Sequence, residues 1–370
     1  MILSSIQLKN FRIHRNTLLN FSSNINYIIG GNGQGKTSIL EAVYLLCTTK
    51  DHSTKSDSEI VRFDENEFEL DGIFKNTTED KVRLYYSLNE NRKYYFLNDK
   101  QIGRTSDIIG KFPVVILTPA DHSITQGYPG DRRKFVDSVI SQASDTYLKI
   151  LLDYNKTLRQ RSYLLTQLKE NRRTNIVEEF DAWTKKLVVT GSEIIRHRIA
   201  FVSEFNNYIK KSYSVIMEEN ELPKTSYSFL EGYGGYEIEN RFEKILFERK
   251  DDEFRRASNL VGPHRDDFLF EINGMNLKTF GSQGQHKTFQ VVLRFAEFFY
   301  LKEVSGKTPV FLLDDVFGEL DAGRAFKISE YLRQVGQAFI TLTDFTDFSF
   351  LKKTEEDLVI KLNQGKAVYA

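Results

Sequence analysis

The stretch YIIGGNGQGKTSILEAVYLL, residues 27–46, leaves the chain little conformational choice. An apolar run leads through four glycines, a lysine and a threonine into apolar residues at helical spacing, which reads as strand, tight loop and helix in the P-loop order. Glycines admit backbone angles closed to other residues, so successive N–H groups can turn inward and form an anion cradle. The expected cradle comprises Gly30, Gly31, Asn32, Gly33, Gln34, Gly35, Lys36, Thr37 and Ser38. Lys36 is expected to reach the β- and γ-phosphates of a nucleotide and Thr37 to ligate Mg2+. The helix that follows presents its positive end to the same charge.

A second segment supplies acids. In TPVFLLDDVFGELD, residues 308–321, the apolar run Val310 to Leu313 predicts a buried strand with Asp314 and Asp315 emerging at its carboxyl end, where ligands of parallel sheets collect. Asp314 suits a metal shell, and Asp315, one residue further, suits a general base toward water. Lys36 and Asp314 stand 278 residues apart (314 − 36), whereas a nucleotide kinase or small GTPase holds both within one short domain. A large insertion must therefore divide the nucleotide fold. Just before the acids, FGSQGQHKTFQVVLRFAEFF opens an amphipathic helix at Ser282, Gly284 and Gln285, a second phosphate-binding surface. The chain's own loop already surrounds its phosphates on one side, so a second surface makes sense against the nucleotide of another subunit.

Around these motifs, residues 1–117 alternate short β-like runs with turns. From Asp145 the period becomes helical: Tyr147, Ile150, Leu151, Tyr154, Leu158, Leu165 and Leu168 precede a break at KENRRTN, and Phe180, Trp183, Leu187, Ile194, Phe201 and Phe205 resume the pattern. This predicts a helical hairpin whose first arm has about 29 residues and a length of about 43 Å. Residues 222–257 read as a looser return path, and FLFEINGMNLK as strand, turn at Asn273-Gly274 and strand. The fold class expected is α/β, with an ATPase domain formed by 1–117 and 258–370 and a mainly helical lid at 118–257.

Composition adds bounds. With 51 acidic and 51 basic residues the net charge is zero, so any nucleic-acid site must be local. From Asp131 to Lys211 there are 16 Lys and Arg against 10 Asp and Glu, and from Ser212 to Leu260 there are 7 against 11. The hairpin is basic and its return path acidic. Candidate nucleic-acid contacts are Arg132, Arg133, Arg159, Arg161, Arg172 and Arg173, some of them expected to pair instead with Asp137, Asp145 or Glu170. No apolar run approaches the roughly 20 residues of a membrane span, and the N-terminal residues lack signal-peptide character, so a cytoplasmic location is expected. The single cysteine, Cys47, falls in the apolar helix after the phosphate loop and reads as a small buried hydrophobe.

At these residues the chain resembles the RecF recombination mediators, within the ATPase group that also holds ABC transporter, SMC and Rad50 heads. The resemblance covers nearly the whole chain, through the phosphate loop, LLDDVFGELD, LKNFR at 8–12, GYPGDRRKFVD at 127–137, LLDYNKTLRQR at 151–161 and GPHRDD at 262–267. It implies an ABC-type ATPase head with a helical lid, an ATP-dependent homodimer sandwiching two ATPs with Mg2+, and slow, DNA-stimulated hydrolysis acting as a switch. It implies further that the dimer binds duplex or gap-junction DNA and, with RecR and RecO, directs RecA onto gapped DNA in repair, replication, recombination and the SOS response. Ser282 and Gly284 would contact the γ-phosphate in trans, Asp321 would be the D-loop acid at the subunit boundary, Arg12 a nucleotide contact, and either Thr341 or Thr343 would face the γ-phosphate. His286 stands where the family usually has Gln or a similar residue. The competing reading within the same group is a stand-alone SMC-like ATPase of another DNA-maintenance or anti-phage system. A transporter subunit is disfavoured because the segment at 282–286 lacks a Leu-Ser-Gly-Gly-Gln form, and a small-molecule phosphotransferase because no second substrate pocket can be named.

Overall fold

The computed structural model describes residues 1–50, 52, 56–170, 176–217, 221–232, 237–319, 321–343, 351 and 353–369. Along the chain the elements are β1 (Ile2–Phe11), β2 (His14–Asn20), β3 (Ile25–Ile29), α1 (Lys36–Thr48), β4 (Glu67–Lys75), β5 (Glu79–Ser87), β6 (Arg92–Leu97), β7 (Lys100–Gln101) and β8 (Val114–Leu117). There follow α2 (His122–Gln126), α3 (Pro129–Ala143), α4 (Asp145–Lys169), α5 (Ile176–Met217), β9 (Pro223–Ser228), α6 (Ile238–Glu248), α7 (Lys250–Arg256), β10 (Asp267–Ile272), β11 (Met275–Asn276) and α8 (Leu277–Phe280). The chain closes with α9 (Gln283–Ser305), β12 (Val310–Leu313), α10 (Ala322–Leu332), β13 (Ala338–Leu342), β14 (Leu358–Asn363) and β15 (Lys366–Tyr369). Among the described residues no helix is long and apolar enough to cross a membrane.

Two compact units result. The first holds residues 1–121, 211–219 and 287–370 and contains two six-stranded sheets. One is antiparallel, in the order β2-β1-β4-β5-β6-β7; its strands alternate buried and exposed residues, as a sheet with one face on a core must. The other runs β15-β14-β3-β13-β12-β8, parallel except for β15, and β3, β12 and β13 are buried throughout, as strands covered on both faces are. The helix α1 joins the two: Ile39, Leu40, Val43, Leu46 and Cys47 share one core with Leu3, Ile6 and Leu84 of the first sheet and Ile28, Leu312 and Phe339 of the second. Burial pushes the Cys47 thiol well up, so it is inert there. The runs that read as one meander are thus divided, β3 and β8 going to the parallel sheet.

The second unit holds residues 122–210 and 220–286. Its hairpin arms are α4, with 25 residues, and α5, with 42, the latter about 63 Å long at 1.5 Å per residue and continuing into the first unit. The first arm begins where the periodicity places it, with Ser144 capping α4 by accepting from the Tyr147 amide at 3.2 Å and α3 preceding it as a separate helix, and α4 ends at Lys169, short of residues 171–175, which lie outside the described ones. The described residues of 222–257 form more regular structure than the composition suggests. Ile238, Phe242, Ile245 and Leu246 give α6 a buried stripe at helical spacing, and β9 pairs with β10 from Pro223↔Ile272 to Ser228↔Asp267. Through that pairing residues 258–286 group with the second unit.

Candidate phosphate-binding site

The strand β3 carries the chain to Gly30, whose amide donates to Leu342 O at 3.2 Å. A Cβ at Gly30 would lie 2.7 Å from Leu362 O, so the loop can pass only as glycine. At Gly35 φ is +96°, and α1 begins there without a side-chain cap. Its first amides thus keep no side-chain acceptor, the arrangement that accepts an anion. Gly31, Asn32, Gly33 and Thr37 are exposed; Gln34 and Ser38 are half-buried. Lys36 folds over its own loop, Nζ donating to Gly30 O at 2.6 Å and Gly31 O at 3.0 Å. Burial lowers its pKa, and the charges of Asp315 and Asp314 oppose that shift.

The acids arrive from the same sheet edge. Because β3, β13 and β12 are parallel neighbours, Leu342 pairs with Ile29 and Leu313 with Ile340, and the carboxyl ends of all three strands converge. Asp314 Oδ1 accepts from Thr37 Oγ1 at 3.0 Å and from Thr341 Oγ1 at 2.8 Å. Asp315 is exposed and left-handed, with φ +49°, and its amide donates to Thr341 Oγ1 at 2.8 Å. Thr341 is fully buried and committed to both acids, so it organises the acid pair rather than facing a phosphate, while Thr343 is exposed just past β13. Thr37 and Asp314 offer hydroxyl and carboxylate oxygens side by side, a donor set that fits Mg2+ completed by phosphate oxygens and water. Among the described residues no group of three or more His, Cys, Asp or Glu gathers into an all-protein metal cage.

Arg12, expected to contact nucleotide, engages α1 in this structure. Its backbone is left-handed, with φ +54°, and its guanidinium engages both Glu41 oxygens on α1, at 3.1 and 3.3 Å, and Glu59 O at 3.1 Å. Three residues the motif reading missed bear on the loop: His14, Thr17 and Gly365. His14 is fully buried with Nε2 3.1 Å from Gly35 O, Thr17 donates to Gly365 O at 2.8 Å, and the Gly365 amide donates to Gln34 O at 3.3 Å. The one sequence signal was Gln364-Gly365 between two β-like runs, a turn dipeptide whose φ values are +47° and +75°.

The second phosphate surface belongs to the second unit up to His286. Ser282 is exposed and forms a reciprocal cap with Gln285: Ser282 Oγ accepts from the Gln285 amide at 3.2 Å and Gln285 Oε1 from the Ser282 amide at 3.0 Å. Gly284 lies half-buried in the first turn of α9. His286 is buried, and that burial lowers its pKa. Asp321 caps α10, accepting from the Arg324 amide at 3.0 Å, with its side chain mostly exposed.

The expected nucleic-acid contacts divide. Arg132 is buried and bidentate to Asp267 at 2.7 and 2.9 Å, and Arg161, 2% exposed, donates to Glu253 and Asn259 at 2.6 Å each. Both are structural, and neither is available to a phosphate backbone. Arg133 is half-buried and donates to Asp266 O at 2.6 Å; burial is the main cause of its lowered pKa. Arg159 is exposed, and Arg172 and Arg173 lie outside the described residues. Asp137 is bidentate with buried Arg198, at 2.8 and 3.0 Å. Partners 61 to 135 residues away removed these cations from the surface.

The model of the RecF/RecN/SMC N-terminal domain family matches residues 2–365. The DNA replication and repair protein RecF of Chloroherpeton thalassium is 40% identical over 366 residues, covering 95% of this chain and 98% of the relative. That of Acetivibrio thermocellus is 34% identical over 374 residues, covering both chains in full. A solved structure of the recombination mediator protein RecF-ATP in the RecFOR pathway superposes with a TM-score of 0.89 at 31% identity, over all of this chain and 97% of the other. An Smc head domain of Pyrococcus furiosus, at 13% identity and a TM-score of 0.57, shares the fold alone. The architecture is that of an ABC and SMC-type ATPase head.

Proposed function

The chain belongs to the RecF family of DNA replication and repair proteins, and on that premise we propose that it is an ATP-operated DNA-binding switch. The observation that carries this is the hydrogen bond from Thr37 to Asp314, which brings the hydroxyl of the phosphate loop against the acid pair of β12. ATP is bound with its phosphates along the amides of Gly31 to Thr37. Lys36 exchanges its two backbone carbonyls for phosphate oxygens, a charge-assisted contact stronger than the ones it gives up. Thr37 and Asp314 hold Mg2+, which when bound offsets the charge of the phosphates. Asp315, exposed at a turn fixed by Thr341, orients and deprotonates the attacking water. Such a site turns over slowly until every phosphate contact is made.

Those contacts are completed by a second copy. Ser282, exposed at the start of the 23-residue helix α9, and Gly284 beside it meet the γ-phosphate of the partner, and Asp321 lies at the subunit boundary. Thr343 is the exposed threonine suited to the phosphate side. The ATP dimer binds duplex or gap-junction DNA, and with RecR and RecO it helps load RecA on gapped DNA until hydrolysis resets it. Exposed Arg159, and Arg133 in part, remain candidate phosphate contacts. Sedimentation of the protein with and without ATP, Mg2+ and a gapped duplex tests the reading: a dimer should form with ATP and take up DNA. A monomer in every condition would sink it.

A further inference from the structure

The buried ring of His14 has no part in the chemistry above, yet it sits where three segments meet. Nε2 is 3.1 Å from Gly35 O of the phosphate loop, and Nδ1 is 3.1 Å from Thr17 Oγ1. Thr17 donates onward to Gly365 O in the turn between β14 and β15, and that turn holds the loop directly through the Gln34 carbonyl and, from the Gln364 amide, Gln34 Oε1. A Cβ on Gly35 would lie 2.7 Å from the ring and one on Gly365 3.5 Å from it, so the ring is fitted between the two glycines.

The contact has a second property, set by its hydrogens. Gly35 O and Gly365 O can only accept, and Thr17 has one hydroxyl hydrogen, which the shorter contact, 2.8 Å to Gly365 O against 3.1 Å to Nδ1, assigns to Gly365. His14 therefore faces an acceptor at each nitrogen. A neutral imidazole carries one N–H and satisfies one of them; an imidazolium satisfies both. Burial lowers the pKa of the ring against the pull of the two carbonyls. The charged residues along the segments packed on it are Arg15 on β2, Lys36 beside Gly35 and Lys366 after the turn, all cations, with Arg12 paired to Glu41. A triphosphate in the loop brings the opposite charge.

We propose that His14 is a positioning residue of the phosphate loop that takes up one proton from solvent as the loop takes up a nucleoside triphosphate, completing the hydrogen-bonded chain from Gly35 O to Gly365 O. The inference rests on the nucleotide reading above, and one experiment separates the two. ATP is titrated calorimetrically into the whole chain in two buffers of different ionisation heat, at several pH values from about 6 to about 8, for the native protein and for His14→Gln. The glutamine amide keeps an N–H donor near the place of Nε2 but does not titrate. The native protein should take up protons in excess of the variant, and its affinity should fall roughly three- to tenfold more between those limits, because a pKa raised by the ligand favours binding at lower pH. Equal proton uptake by the two proteins overturns the role of His14 while leaving ATP binding intact; absence of ATP binding by the native protein overturns the nucleotide reading and this inference with it. Should the variant not fold, the ring resonances of native His14 decide: a neutral ring in the ATP complex at pH 7 overturns the inference, and a protonated one upholds it.

Discussion

Thr37, at the start of α1, and Asp314, just past the end of β12, are joined by a hydrogen bond of 3.0 Å across 277 residues of chain. Everything inserted between them leaves that distance to be set by the parallel register of β3, β13 and β12. Roles within the site can accordingly be separated by substitution.

Lys36→Ala removes the charge that folds over the loop. ATP affinity should drop by roughly ten- to a hundredfold, the worth of one charged hydrogen-bonding group. Equilibrium binding of ATP checks this, and native affinity in the variant would place the phosphates elsewhere.

Asp315→Asn keeps the backbone turn and its bond to Thr341 while removing the base. Nucleotide binding should persist and hydrolysis should fall by roughly a hundredfold or more. If steady-state turnover stays at the native rate, the base is another residue.

Ser282→Arg places a bulky cation at an exposed cap. The dimer expected with ATP and Mg2+ should revert to monomer, while the circular dichroism spectrum is retained because the Gln285 side chain still holds the Ser282 amide position. An undiminished dimer in sedimentation would remove the trans contact.

Arg161 and Arg159 stand two residues apart with opposite fates. Arg161→Ala leaves Glu253 buried without its guanidinium and should cost about 3–5 kcal/mol of stability. Arg159→Ala should change stability by less than about 0.5 kcal/mol and, if it meets a phosphate, reduce the slope of log affinity for DNA against log salt by about 0.9. Denaturation and salt-dependent duplex binding on both variants distinguish the roles.

Glu297 on α9 is buried beside Arg294, which is also bidentate to Asp121 at 2.7 and 2.8 Å. Burial pushes its carboxyl up to about 7, with Arg294 opposing. The folded protein therefore retains a proton that the unfolded chain has released between the ordinary glutamate value and about pH 7. The contribution of this group to stability falls as pH rises through that window. Glu297→Gln, which cannot ionise, should gain on the native protein in denaturant unfolding as pH rises from about 5 to about 8. A constant difference between the two would mean that the carboxyl is ionised throughout.

What the sequence determined by itself is the chemistry written in short, contiguous patterns. Gly30 to Thr37 and Val310 to Asp315 specify their own backbone, because each needs only local glycine freedom, an apolar strand and a helix start. The long interval between them was enough to require an insertion, and the helical periods on either side of residues 169–175 were enough to make it a hairpin. Tertiary structure decided the pairings that have no local signature. Arg132, Arg161 and Arg198 look alike as surface cations in the sequence, and each is buried because Asp267, Glu253 or Asp137 is brought to it by the folding of the second unit. Thr341 reads equally well as a phosphate ligand until the register of β12 against β13 commits its hydroxyl to Asp314. The contact of His14 with Gly35, and of the Gln364-Gly365 turn with Gln34, joins the beginning and end of the chain, where a hydrogen bond depends on ångström-scale placement that residue type and spacing do not encode.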